Sequence, residues 1–154
     1  KTLAMAARAR LTLFAHDAHP ARMSDLPERA KRAQARVTVT DNPAKSAPYD
    51  LILTDVPCSG SGSWRRDPQG KWALTEERLA ELTRLQSEIL RKAAGLVKAG
   101  GALGYATCSM IDRENGDRIR SFLADHSGWS LEAERRFTPL EGGDGFYAAV
   151  LRRV

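Results

Sequence analysis

The pattern that most restricts the fold is a series of short apolar runs, each of which ends in an acid or a cysteine. The runs "LTLFAHD", "VTVTD", "YDLILTD" and "ALGYATC" cover residues 11–17, 37–41, 49–55 and 102–108. Helical patterns lie between them, and this alternation predicts an α/β sandwich with a mostly parallel sheet. In such sheets ligands bind at the carboxyl ends of the strands. We therefore expect Asp17, Asp41, Asp55 and Cys108 to line one crevice.

The remaining segments predict the rest of the sandwich. Helices are expected over residues 1–9 and 20–35, and a long loop over 56–74. Thr75 can cap the clearest helix, which Lys98 and Gly100–Gly101 should end. Its apolar face consists of Leu79, Leu82, Leu85, Ile89, Ala93 and Leu96. A further helix should begin at Asp112, and "GWSLEAE" and "GFYAAVLRR" predict an antiparallel pair at a sheet edge. The continuous apolar run predicts that the strand over 49–55 is buried.

Composition excludes several classes of protein. The 154 residues fit one domain, and no run of 18 apolar residues is present, so no membrane partner is expected. Two cysteines do not make a disulfide framework, and three scattered histidines do not indicate a metal site. These features, with no signal-peptide pattern at the N-terminus, predict a cytoplasmic protein.

The positive charge is concentrated in two places. The first 36 residues contain eight Lys or Arg and three Asp or Glu, which accounts for the whole net charge of +5. A second basic segment has Arg65, Arg66 and Lys71 beside Trp64 and Trp72. Cations bind phosphates and indoles stack on bases, so both segments suit a nucleic acid. The alternatives are a solvated helix face for the first and a surface loop with packing tryptophans for the second.

Three segments resemble the Sun/Fmu family of RNA (cytosine-5) methyltransferases. They are "TDVPCSGSGSWRRDPQGKW" at 54–72, "YATCSMIDRENGDRI" at 105–119 and "GGDGFYAAVLRR" at 142–153. The resemblance implies a Rossmann-like class I methyltransferase fold with S-adenosylmethionine as cofactor. "KTLAMAA" at the N-terminus resembles the tail of the family's cofactor motif. The family's central first strand and Gly-rich turn would lie upstream, so we expect residues 1–154 to be the C-terminal part of one catalytic domain.

The resemblance also implies roles for individual residues. Cys108 corresponds to the nucleophile, Cys58 to the thiol that helps release the product, and Asp55 to an acid near both cytosine and cofactor. The implied cofactor-binding residues are Lys1, Asp17, Asp41 and Asp55. The RNA-binding residues Arg65, Arg66 and Lys71 are predicted from the basic segment itself.

Two thiols suit this chemistry because carbon 5 of cytosine is a poor nucleophile. A thiolate that adds to carbon 6 makes carbon 5 reactive, and a second thiol can assist release. A looped or single-stranded cytosine is expected, because its face must be exposed. Ribosomal RNA is favoured and transfer RNA is possible. The alternatives are a non-catalytic RNA-binding fragment or a methyltransferase of another target, such as a DNA cytosine or a protein amide. A DNA-type enzyme would use Cys58 as nucleophile and leave Cys108 unexplained.

Overall fold

The computed structural model describes all 154 residues and contains two compact units, residues 1–47 and 48–154. The helices are α1 (Thr2–Ala6), α2 (Leu26–Arg32), α3 (Pro68–Ala73), α4 (Glu76–Ala94) and α5 (Gly116–Asp125). The strands are β1 (Leu13–Ala15), β2 (Val37–Val39), β3 (Tyr49–Asp55), β4 (Val97–Thr107), β5 (Trp129–Phe137) and β6 (Phe146–Arg153). Short 3₁₀ helices cover Pro20–Met23, Pro43–Ser46, Ser61–Ser63, Asp112–Glu114 and Pro139–Glu141.

The N-terminal unit contains a two-stranded parallel sheet. Leu13 pairs with Val37 and Ala15 with Val39, so β1 and β2 end at the same edge. The helix expected over 20–35 is divided, because a 3₁₀ turn at Pro20–Met23 precedes α2. Ala30 on α2 is buried.

The C-terminal unit contains a four-stranded sheet in the order β3-β4-β6-β5. Strands β3 and β4 are parallel, whereas β6 runs antiparallel to both β4 and β5. The antiparallel C-terminal edge is therefore confirmed. Strands β1 and β3 belong to separate sheets.

The core of the C-terminal unit lies between its sheet and two helices. Alternate residues of β6, namely Tyr147, Ala149 and Leu151, are buried on one face of the sheet. They form one cluster with Leu90 of α4 and Ile119 of α5. Each fully buried Leu or Ile contributes about 1.5–3 kcal/mol relative to an exposed one. This packing fixes α4 and α5 on the sheet.

Helix α4 begins as predicted but ends earlier. The Thr75 side chain accepts a hydrogen bond from the backbone of Arg78 at 3.2 Å, which confirms the cap. The helix ends at Ala94 rather than near Gly100, because Val97 already belongs to the long strand β4. Leu85 was expected on the apolar face but is 41% exposed.

Two further expectations were wrong in detail. The predicted loop over 56–74 contains α3 and a 3₁₀ turn. Strand β3 has the predicted bounds but is not buried, since Leu51 is 50% exposed. The reason is topological: β3 lies at an edge of its sheet, with β4 as its only paired neighbour. No helix is both long and apolar enough to cross a membrane.

Candidate active site

The two cysteines follow neighbouring parallel strands of the C-terminal unit. Asp55 ends β3 and pairs in register with Ala106 of β4. Cys58 comes three residues after β3, and Cys108 comes directly after β4. Because parallel strands end at the same sheet edge, the three side chains emerge from one edge.

The sulfur atoms of Cys58 and Cys108 are 3.4 Å apart, within hydrogen-bonding distance. Both cysteines are partly buried and unbridged. The hydrogen bond to Cys108 raises the pKa of the Cys58 thiol well above its usual range, and burial raises this pKa further. Cys58 therefore keeps its proton at neutral pH. Two thiolates at this separation would repel each other, so only one sulfur of the pair can be the attacking anion.

A buried carboxylate connects the loops that carry these cysteines. Glu114 has no exposed surface and lies in the 3₁₀ turn Asp112–Glu114. Its Oε1 accepts from the backbone N–H of Ser59 at 2.8 Å and from Nε2 of Gln86 at 3.0 Å. Its Oε2 accepts from the hydroxyls of Ser59 and Ser109, each at 2.5 Å. These serines directly follow the two cysteines.

Two glycines bring a third segment against the same loops. The N–H of Gly62 donates to the carbonyl oxygen of Cys108 at 2.9 Å, and the N–H of Gly145 donates to that of Gly62 at 2.8 Å. A Cβ at Gly62 would overlap the carbonyl oxygen of Gly145. A Cβ at Gly145 would overlap the side chain of Met110. Gly62 requires glycine because backbone atoms approach it so closely, and a Cβ at Gly145 would also lie 2.9 Å from Cα of Gly62.

The predicted RNA-binding cations make contacts within the protein. Arg66 forms an ion pair with Asp144, and Arg65 lies 3.7 Å from the same carboxylate. The Arg65 and Arg66 side chains remain 72% and 65% exposed. Lys71 lies 5.5 Å from the ring centre of Trp72, which is 82% exposed. One acid therefore offsets the charges of two cations, and Lys71 and the exposed Trp72 follow them in the sequence.

The predicted cofactor acids follow the two strands of the N-terminal unit. Asp17 comes two residues after β1, and its Oδ1 accepts from the backbone N–H of His19 at 2.7 Å. Asp41 comes two residues after β2, and its exposed carboxylate lies 3.8 Å from Nζ of Lys45. Lys1 is exposed and precedes α1. That all the strand-end side chains share one crevice stays a prediction, since Asp17 and Asp41 belong to one unit and Asp55 and Cys108 to the other.

Sequence reasoning missed the buried polar residues behind the cysteines. Gln86 had a usable signal, because it interrupts the apolar face of α4 between Leu82 and Leu90. Glu114 lies in the segment at 105–119 that resembles the Sun/Fmu family, but no role was assigned to it. Gly62 and Gly145 lie in the other two segments that carry the resemblance, but their role depends on contacts distant in sequence and could not be read from these segments.

Comparison with known proteins decides the family. A family model described as 16S rRNA methyltransferase RsmB/F matches residues 1–152. The chain belongs to this family. It is 38% identical over 156 residues to ribosomal RNA small subunit methyltransferase B of Photorhabdus laumondii. It is 32% identical over 149 residues to the protein of the same name from Proteus mirabilis. The match covers 92% of the chain in both cases.

Two solved structures confirm the fold. PH0851 superposes with a TM-score of 0.81 at 34% identity, covering 91% of this chain and 36% of that one. NSun6 from Pyrococcus horikoshii, solved with SFG, superposes with a TM-score of 0.79 at 25% identity. That match covers 92% of this chain and 41% of NSun6. The expected Rossmann-like class I methyltransferase fold is therefore confirmed.

The chain spans about a third of the curated relatives it matches: 36% of the Photorhabdus protein and 35% of the Proteus protein. The family and fold are established over these residues.

Proposed function

We propose that this RsmB/F chain is part of the catalytic domain of an RNA (cytosine-5) methyltransferase that acts on small-subunit ribosomal RNA. The observation that carries the proposal is the pair of sulfur atoms 3.4 Å apart at the ends of two adjacent parallel strands. The names of the curated relatives support ribosomal RNA as the substrate. Transfer RNA remains the second candidate, and a cytoplasmic location stays a prediction.

The two thiols have different tasks in this proposal. Cys108 attacks carbon 6 of the cytosine, and the electron pair displaced from the 5,6 double bond makes carbon 5 nucleophilic. Cys58, with its raised pKa, remains protonated and holds the Cys108 sulfur by a hydrogen bond. After methyl transfer, water takes the proton from carbon 5, the electron pair of that C–H bond re-forms the 5,6 double bond, and the bond between carbon 6 and the Cys108 sulfur breaks. Cys58 assists this departure.

Asp55 supplies the polar contact to the base. Asp55 ends the strand that leads to Cys58. In this proposal its carboxylate accepts a hydrogen bond from the amino edge of cytosine. A carboxylate in this position orients the ring for attack.

Carboxylates at the ends of β1 and β2 fit S-adenosylmethionine. A carboxylate accepts hydrogen bonds from two donors, which suits ribose hydroxyls for Asp17 and an adenine amino group for Asp41. Lys1 and Asp55 are the other residues that would hold the cofactor. When bound, S-adenosylmethionine supplies a methyl group attached to a sulfonium.

Two cysteine variants test the proposal in the intact protein, with S-adenosylmethionine and unmodified small-subunit ribosomal RNA. Cys108→Ser should abolish methylation and any covalent adduct, because a hydroxyl ionises far less than a thiol near neutral pH. Cys58→Ala should allow attack and methyl transfer but slow release. It should therefore accumulate a protein–RNA adduct that survives denaturing gel electrophoresis.

Each alternative predicts a different pattern. An adduct with Cys108→Ser and none with Cys58→Ala would make Cys58 the nucleophile, as in a DNA-type enzyme. Normal turnover in both variants would refute covalent catalysis. Calorimetry with S-adenosylmethionine is the control, since RNA binding without cofactor binding would favour a non-catalytic RNA-binding role.

A further inference from the structure

Glu114 is the only fully buried acidic side chain in the structure. Burying a carboxylate is unfavourable, and an apolar side chain of similar volume serves packing as well or better. Moreover, all four of its hydrogen-bond donors are neutral. The position of this carboxylate therefore calls for a reason other than packing.

The bonds of Glu114 join the two cysteine loops from behind, in addition to the direct bonds from Gly62 to Cys108 and from Met110 to Ser61. Ser59 contributes two donors from the loop after β3, and Ser109 contributes one from the loop after β4. Gln86 donates to Glu114 at 3.0 Å and to the carbonyl oxygen of Pro57 at 2.9 Å. The residues on both sides of Cys58 are thereby held.

The next residue, Asn115, holds the other cysteine in the same way. Its Oδ1 accepts from the hydroxyl of Thr107 at 2.6 Å, and its Nδ2 donates to the carbonyl oxygen of Ser109 at 2.8 Å. Thr107 and Ser109 flank Cys108. Of these two residues, only Glu114 accepts hydrogen bonds from donors in both cysteine loops.

We propose that Glu114 is a positioning residue whose buried carboxylate holds the two cysteine loops together and so sets the separation of the Cys58 and Cys108 sulfur atoms. A carboxylate is suited to this because its two oxygens accept all four donors at once. An amide at this position keeps the volume but has one acceptor oxygen and an NH₂ that faces hydrogen-bond donors. The inference rests on the proposed roles of the two cysteines.

The test measures sulfur proximity directly, in the intact protein without RNA or cofactor. In glutathione redox buffers the two thiols give two electrons and two protons to glutathione disulfide, forming one protein disulfide and two glutathione molecules. The fraction of Cys58 joined to Cys108, mapped by peptide mass spectrometry, gives the effective concentration of the pair. Glu114→Gln should lower it about tenfold, as expected for loss of a bridging charged hydrogen bond.

Two further variants keep the result interpretable. Ser109→Ala removes the bond from Glu114 to the Cys108 loop, together with the bonds of the same hydroxyl to Ser59, Ser61 and Ile111, and keeps the Glu114 carboxylate. It should also lower the effective concentration, and it decides the question if Glu114→Gln does not fold. Glu134→Gln is the matched control, because Glu134 accepts from Tyr147 at 2.8 Å and does not contact the cysteine loops. It should leave the value unchanged.

Methyl transfer provides an independent readout. Ser109→Ala and Glu114→Gln should lower kcat with little change in the KM for RNA, since the attacking sulfur is displaced and the RNA contacts are not. An unchanged effective concentration in folded Glu114→Gln or Ser109→Ala would overturn the inference, as would an equal fall in Glu134→Gln. Because the redox measurement needs no turnover, failure of the proposed function would be seen separately, as absence of a covalent RNA adduct.

Discussion

Replacing Gly62 by alanine should destabilise the C-terminal unit through the Cys108 loop. The new Cβ would overlap the carbonyl oxygen of Gly145 and lie 2.9 Å from that of Cys108. Backbone atoms cannot yield as a flexible side chain can, so the segments must separate. Separation breaks two backbone hydrogen bonds, from Gly62 to Cys108 at 2.9 Å and from Gly145 to Gly62 at 2.8 Å.

The expected loss of stability follows from these two hydrogen bonds and the overlap. Each backbone hydrogen bond contributes about 1 kcal/mol net, and overpacking adds about 1–3 kcal/mol, so the total is about 3–5 kcal/mol. Hydrogen exchange of the Leu103 and Ala149 amides measures it, because both residues lie in the core of the sheet. Their protection should fall by about two to nearly four orders of magnitude if they exchange by opening of the whole unit.

Gly128→Ala is the matched control. A Cβ at Gly128 meets no atom within 4 Å, so this substitution should change the free energy of opening by less than about 0.5 kcal/mol. Protection in Gly62→Ala equal to that in Gly128→Ala would refute the argument that Gly62 is required by close backbone contact.

Other predictions concern the thiols and the basic segment. Alkylation of Cys58 by iodoacetamide should begin at a higher pH than alkylation of free cysteine, because the raised pKa of Cys58 means that the thiolate forms only at higher pH. Cys108→Ser should move the onset of alkylation to lower pH, since the hydrogen bond to Cys108 is the largest cause of the raised pKa. Replacing Arg65 and Arg66 by alanine should lower RNA affinity and reduce the log–log salt slope by about 0.7–0.9 for each phosphate that is no longer bound. If RNA affinity at low salt is unchanged, the two arginines serve only in their ion pairs with Asp144 and do not bind RNA. Asp144→Asn should raise RNA affinity, because both arginines then lose their ion pair and can bind phosphate.

The sequence predicted best those features that depend on neighbouring residues. Strand β3 has the expected bounds because its apolar run ends at Asp55 and Pro57 follows, and a proline disfavours continuation of a strand. Thr75 caps α4 as expected, since a threonine before two glutamates is a local signal. The two cysteines follow the ends of adjacent parallel strands because their motifs directly continue those strands.

Predictions failed where burial depends on distant neighbours. The apolar run of β3 does not show that this strand lies at a sheet edge, where Leu51 is 50% exposed. The spacing of α4 put Leu85 on the apolar face, yet only the packing of the helix decides how wide the buried face is. The Gly and Pro residues over 56–74 led to the prediction of a loop, although the short helix α3 lies within this segment.

The sequence by itself determined the fold class, the two cysteines and the strand-end acids, because periodicity and short motifs are properties of neighbouring residues. Only the tertiary structure decided the 3.4 Å contact between the sulfur atoms and the carboxylate behind them. Cys58 and Cys108 are 50 residues apart, and Glu114 is 55 residues from Ser59. Such contacts arise when β3 and β4 pair and α4 packs on the sheet, and no local pattern encodes which side chains then meet.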